Sequence, residues 1–139
     1  MKDQRRLFYQ KFQIFKMKEK NEPTLRVVPM PSDSNSNGDI FGGWIMSQVD
    51  IAGAIPVVQL VNGRVATVAV NSFVFKQPVF IGDLVSFYAT IKKIGTTSVT
   101  VNVEVFAQRK ARMEIVKVTD ANLTYVHIDK NGKPKPINK

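Results

Sequence analysis

The 139-residue chain contains no cysteine and a single histidine, His127. Those absences exclude disulfide frameworks, iron–sulfur ligation, Cys/His zinc sites and cysteine nucleophiles. Long apolar runs are missing as well. The longest uninterrupted one, Ile51 to Val58, is eight residues, against the roughly 20 that a bilayer-spanning helix needs. The N-terminal residues are basic but lack the apolar segment of a secretory signal, so a soluble, cytoplasmic protein without a membrane span is expected. Three familiar site motifs are also absent: the Gly-x-Ser-x-Gly elbow, the Gly-x-x-x-x-Gly-Lys loop and the Gly-x-Gly-x-x-Gly fingerprint.

What is plentiful is positive charge. Twenty Lys and Arg against eleven Asp and Glu give +9, a balance that invites a nucleic-acid reading. The charge sits at the ends, however. Residues 1–20 carry a net +5 and residues 129–139 a net +3, while 21–128 hold nine bases and eight acids. Basic tails on a neutral body fit solvated termini, with some attraction for phosphorylated ligands. No nucleic-acid partner is expected.

Leu7, Phe8, Phe12 and Phe15 fall near one face of a helix, so 3–18 reads as a short amphipathic segment. The alternative is a translation start at Met17. Residues 1–22 are accordingly set apart as a basic extension, and 23–139 as the folded domain. Residues 24–30 suit a short strand that Pro29 and Pro31 end or push to an edge. The stretch 31–38 is dense turn chemistry. From Gly42 to about Leu60 the chain is apolar nearly all round, which predicts a buried central helix whose last turns Pro56 bends or shortens.

Beyond the helix the period changes to two. Val65 to Val79 is too apolar to give one clean face. Val85, Phe87, Ala89 and Ile91 alternate with polar neighbours, as do Val99, Val101, Val103 and Val105. In Val116–His127 the apolar parity shifts between Val118 and Leu123, as a bulge would produce. Turn signals fall at Ile81-Gly82-Asp83, Gly95-Thr96-Thr97 and Asn131-Gly132. The order predicts an α+β fold: four long strands joined in hairpins, in an antiparallel sheet curled around the helix.

Asp50 is out of place in that helix. A carboxylate in a segment built for burial must hydrogen-bond a neighbour or act on a ligand. Gly42-Gly43 is the second unusual feature, because it bares the unpaired N–H groups of a first helical turn. Such a pair can polarise a carbonyl; tight packing explains the glycines equally well. Asp50 lies eight residues beyond Gly42, about 12 Å along the axis, too far for one carbonyl to touch both. A shared reaction therefore needs a second, antiparallel helix, as a two-fold dimer supplies. His127, alone in the last strand, reads as structural.

The stretch from Met30 through Asp33, Asn35, Gly38, Gly42, Gly43 and Trp44 to Asp50 resembles the YciA-type acyl-CoA thioesterases of the hotdog fold. The likeness continues through Gly63–Val68, Pro78–Asp83, Gly95–Ser98, Val118–Ala121 and the Asn131-Gly132-Lys133 end, about 24–137 in all. It implies a sheet wrapped around the helix, dimers that join sheets, and a homo-oligomer that is a dimer or a trimer of dimers. The implied activity is hydrolysis of acyl-CoA to free acid and CoA, with no metal and no cofactor beyond the CoA of the substrate. Asp50 matches the family's carboxylate, as general base or as nucleophile. Gly42 and Gly43 match the helix start that polarises the thioester carbonyl from the partner subunit. Asn35 matches a loop amide that places substrate, and Thr67 lies near a position that orients water or carboxylate.

The Gly95, Thr96, Thr97 and Ser98 turn resembles the segment bordering the CoA arm, and Arg64, Lys92 and Lys93 are candidates for its phosphates. The basic hairpin Lys110–Ile115 is shorter than in relatives and flanks the expected CoA channel. A catalytically idle acyl-CoA- or nucleotide-binding module is the alternative reading.

Overall fold

The computed structural model describes residues 22–137; the amphipathic segment expected over 3–18 lies outside them. A three-residue strand, β1 (Leu25–Val27), stops before Pro29, and a 3-10 turn (Pro31–Asp33) opens the polar loop. The helix α1 (Gly42–Val61) follows, then β2 (Arg64–Phe75), β3 (Leu84–Ile94), β4 (Ser98–Gln108) and β5 (Ile115–Ile128). All pairings are antiparallel, in the order β1-β3-β4-β5-β2. α1 packs against β2, β3, β4 and β5, so the sheet curls around it as expected.

Three expectations need correction. β2 and β3 do not form a hairpin: β2 crosses to the far edge and pairs with β5. The connection between them runs from Lys76 to Asp83 and contains Pro78, too long and too stiff for a tight hairpin turn. It keeps one bond to the sheet, Lys76 N–H to the Val118 carbonyl at 2.7 Å. Nor is α1 buried on every side. Ile45, Val49, Ala52, Gly53 and Val57 are buried, but Met46, Ile51, Val58 and Leu60 are exposed.

Pro56 does not shorten the helix. α1 continues to Val61 and stops where Asn62 turns left-handed at φ 49°, its N–H bonding the Val58 carbonyl. Asparagine tolerates that conformation better than most residues. By length and composition α1 is apolar enough to cross a bilayer. Its buried residues, Ile45, Val49, Ala52, Gly53 and Val57, lie instead against the sheet, as in a core helix.

β4 alternates as its sequence predicts, with Val99, Val101, Val103 and Val105 fully buried. Each such side chain contributes about 1.5–3 kcal/mol of burial. The expected parity shift in β5 is present: Val118 and Thr119 are both buried, and the register against β4 skips between Val105 and Phe106. β2 carries two skips of its own, at Val68 and Asn71. Cross-strand partners share a face, so Val65, Thr67, Val70, Phe73 and Phe75 line up with His127, Tyr125, Leu123, Ala121 and Thr119. Those steps of two and three explain why no simple alternation could be read there.

Candidate active site

α1 and β2 run side by side in opposite directions, and the middle of the helix meets the first third of the strand at a carboxylate. Asp50, half-buried, accepts a hydrogen bond at Oδ1 from Thr67 Oγ1 at 2.7 Å. Tyr125, opposite Thr67 in β5, donates through its hydroxyl to the Asp50 carbonyl at 2.7 Å and approaches the same Oδ1 at 3.2 Å. Both side-chain donors land on one oxygen, and Oδ2 receives neither. Asp50 is therefore a partnered carboxylate with one oxygen held and one presented.

Burial, reinforced by the Asp50 charge and by the hydrogen bond to it, holds the Tyr125 phenol far above the ordinary tyrosine range. The group stays a donor at any working pH. Gly53, one turn beyond Asp50, makes room for it: a Cβ there would strike the Tyr125 hydroxyl. Neither Tyr125 nor Gly53 is among the residues expected from the sequence. The signal was the inward parity of Tyr125 between Leu123 and His127, which identifies a buried phenol that needs an acceptor.

The helix start lies at the other end of β2. The α1 N-cap, Phe41, supplies no side-chain bond, and Trp44 N–H turns back to the Phe41 carbonyl. As the first two residues of the helix, Gly42 and Gly43 have N–H groups without an intrahelical acceptor. The two glycines differ in their reasons. A Cβ on Gly42 would press on the Phe75 ring at 3.1 Å, whereas at Gly43 there is open space. Packing thus accounts for Gly42 and leaves Gly43 without a packing reason.

Asn35 shapes the loop before the helix. Its Oδ1 accepts the Asn37 and Asp39 N–H groups at 2.9 and 3.1 Å, and its backbone pairs with Asp39 and Gly38. The side-chain oxygen is consumed by this turn, so only the amide nitrogen is available to a ligand.

The residues expected at the CoA arm gather at a third place, the end of the sheet where α1 finishes. Arg64 opens β2 and donates to the Lys130 carbonyl at 3.2 Å. The Gly95–Ser98 turn, closed by Gly95 N–H to the Ser98 carbonyl, is two strands away. Its Thr96 and Thr97 carbonyls accept the Ile137 and His127 N–H groups. Lys92 and Lys93 are exposed at the end of β3, where Lys92 is the extra residue of a bulge. His127 is buried, its Nδ1 3.2 Å from the Pro136 carbonyl. Among the described residues no group of three or more His, Asp or Glu is placed to hold a metal.

Comparison with known proteins fits this arrangement. Residues 37–114 match the thioesterase superfamily. The acyl-CoA thioester hydrolase YciA of Salmonella typhimurium is 48% identical over 119 residues, covering 84% of this chain and 90% of the relative. Among solved structures, the hexameric thioesterase y2039 from Yersinia pestis superposes with a TM-score of 0.80 at 46% identity, over 85% of this chain and 96% of that one. Cj0915 of Campylobacter jejuni, a hexameric hotdog fold thioesterase, does so at 0.79 with 48% identity, over 84% and 90%. The chain belongs to the thioesterase superfamily, among its hotdog-fold acyl-CoA thioester hydrolases of the YciA type.

Proposed function

We propose that the protein hydrolyses acyl-CoA thioesters to the free acid and CoA, with Asp50 as the acting carboxylate. The observation that carries this reading is the Asp50 side chain itself. It is held at Oδ1 by Thr67 and Tyr125, and Oδ2 is left to meet water or substrate. As general base, Oδ2 takes a proton from water while the water oxygen bonds the thioester carbon. Collapse of that adduct breaks the C–S bond, and the proton passes to the departing CoA thiolate. As nucleophile, the same oxygen would attack the thioester carbon and expel the CoA thiolate as the C–S bond breaks, leaving a mixed anhydride that water then opens to the free acid and Asp50. Either route builds negative charge on the carbonyl oxygen, for which the Gly42 and Gly43 N–H groups of a partner subunit are the donors.

The partner is a second copy of this chain. β2 is an edge strand of twelve residues, with Val68, Val70, Val74 and Phe75 exposed, and α1 exposes Ile51 and Val58. Pairing two such edges across a two-fold axis covers both surfaces and brings the start of one α1 towards the middle of the other. Relatives described as hexameric support a trimer of such dimers. Asn35, through its amide nitrogen, is assigned to substrate placement.

Free-thiol release from a panel of acyl-CoAs, from acetyl to palmitoyl, tests the reading with wild type and Asp50→Asn in parallel. Turnover falls by at least a hundredfold in the variant while the assembly survives. An assembled wild type that releases no thiol from any ester would instead be an acyl-CoA-binding module.

A further inference from the structure

Four successive residues of β3, Val85, Ser86, Phe87 and Tyr88, are buried. Neighbours along a strand point to opposite faces. Val85 and Phe87 belong to the core beneath α1, so Ser86 and Tyr88 point to the outer face, which an antiparallel sheet of this kind leaves to water. Thr90, the next outward residue, is exposed. Tyr88 is 7% exposed and Ser86 1%. The described elements that pack on β3 are α1 on the inner side and β1 and β4 in the plane of the sheet. Arg26 accounts for Ser86, its Nε donating to the hydroxyl at 2.8 Å. Tyr88 has Glu104 as its cross-strand neighbour and Phe106 edge-on, with ring centroids 5.9 Å apart. Both stand beside the phenol on the same face, so the layer over it comes from elsewhere in the chain.

We propose that this part of the outer face is the docking surface for the chain's own N-terminal segment, residues 3–18, with Leu7, Phe8, Phe12 and Phe15 set on Tyr88 and Phe106. The chain enters the sheet at the right place. Thr24 N–H bonds the Phe87 carbonyl at 2.8 Å, and its hydroxyl accepts the Ala89 N–H at 3.0 Å, so whatever precedes it starts out beside Tyr88. The reach suffices: sixteen residues in the helix that their apolar spacing predicts measure about 24 Å, and five strands span about 19 Å. The chemistry matches on both counts. An apolar stripe meets an aromatic pair, and a segment rich in Lys and Arg meets Glu104 and Asp120, which share the one ammonium of Lys117 at 3.3 Å each. Tyr88 is covered within a single chain, which favours this occupant over a second copy or a membrane surface.

Two measurements on the full chain test this. The first is nitration by tetranitromethane, mapped by mass spectrometry, in wild type and in Phe8→Asp/Phe12→Asp. Tyr88 resists nitration in wild type and reacts at least about tenfold faster in the variant, while Tyr125, buried in the core, stays protected in both. Equal protection of Tyr88 in the two proteins, or rapid nitration in wild type, overturns the proposal. The second does not depend on the fate of that variant. The chain has no cysteine, so Lys11→Cys/Thr90→Cys carries one thiol on the segment and one on the outer face beside Tyr88. Treatment with a short bismaleimide is expected to give a linked product of one-chain mass on a denaturing gel. A two-chain product would place the segment on a neighbouring copy, and no product would leave the face to another occupant; either outcome overturns the proposal. Neither readout depends on turnover, so failure of the acyl-CoA reading would leave both intact.

Discussion

Gly53 lies directly beneath the Tyr125 hydroxyl, so that the smallest possible residue on α1 is what allows the phenol to reach Asp50. Replacing Gly53 by Ala adds helix propensity worth about 1 kcal/mol but drives a methyl group into the phenolic oxygen. The expected result is a folded enzyme in which kcat drops by about tenfold or more. A Gly53→Ala variant with wild-type kcat would show that the Tyr125 contact is irrelevant to turnover.

The two donors on Asp50 make separable contributions. Hydrogen bonds to a charged group are worth about 1.5–3 kcal/mol. If that orientation is needed in the transition state, Thr67→Val lowers kcat by roughly ten- to a hundredfold. Tyr125→Phe, which also frees the Asp50 backbone carbonyl, lowers it by a comparable factor. Because both bonds end on one oxygen, the double variant loses less than the product of the two. A fully multiplicative loss in steady-state kinetics would argue against a shared role.

Far from the site, Arg109 and Asp83 form an ion pair whose side chains are 12% and 3% exposed. Asp83 also accepts the Phe80 N–H at 2.9 Å, and the guanidinium lies 4.5 Å over the Phe80 ring. Removing one partner strands the other charge in the interior. Asp83→Ala is expected to cost about 3–5 kcal/mol, read as a shift in the urea unfolding midpoint. A loss below about 1 kcal/mol would mean that Arg109 swings out to water.

On the outer face of the sheet, the Asn102 amide and then Lys117 hydrogen-bond Asp120, and they hold its carboxyl below the ordinary value of 3.8 against the opposing effect of burial. A group whose folded value is depressed stabilises the protein above its unfolded value. That contribution is lost as pH falls from 3.8 through the lower folded value. Asp120→Asn should therefore flatten the acid side of the stability curve and leave its slope near neutrality unchanged. The effect is small, since the side chain is 38% exposed and screened. Urea melts between about pH 5 and 2 measure it, and an acid limb as steep as wild type's would contradict the assignment.

Assembly should be as fragile as the site that depends on it. Val70→Lys/Val74→Lys places two charges on the β2 edge, where both valines are exposed in the single chain. Sedimentation velocity is expected to show monomers, with turnover lost alongside. A fully active monomer would rule out a site completed by a second subunit.

Much of this architecture could be read from residue order, and the exceptions have identifiable causes. β4 was legible because its valines alternate without interruption. The hairpin reading failed at β2 because neighbouring strands in sequence need not be neighbours in a sheet. Its mixed steps of two and three, produced by skips at Val68 and Asn71, hid the face besides. Burial of α1 on all sides was inferred from composition, which does not distinguish a surface covered by the same chain from one left exposed on it. Asp50 and Thr67, both singled out in the sequence, are joined by a hydrogen bond. Tyr125 escaped notice because its role depends on which strand lies opposite β2, a long-range pairing that no local pattern encodes.

The two skips in β2 also bear on how the chain avoids the wrong company. A flat, apolar edge strand accepts a newcomer at every two-residue offset, which is how such edges seed fibres. β2 interrupts its own ladder at Val68 and again three residues later. A bulged strand is bent and more strongly twisted than a flat one, so it offers a sliding newcomer no uniform ladder to follow. The irregularity that obscured the strand in the sequence works against indiscriminate pairing along the exposed edge.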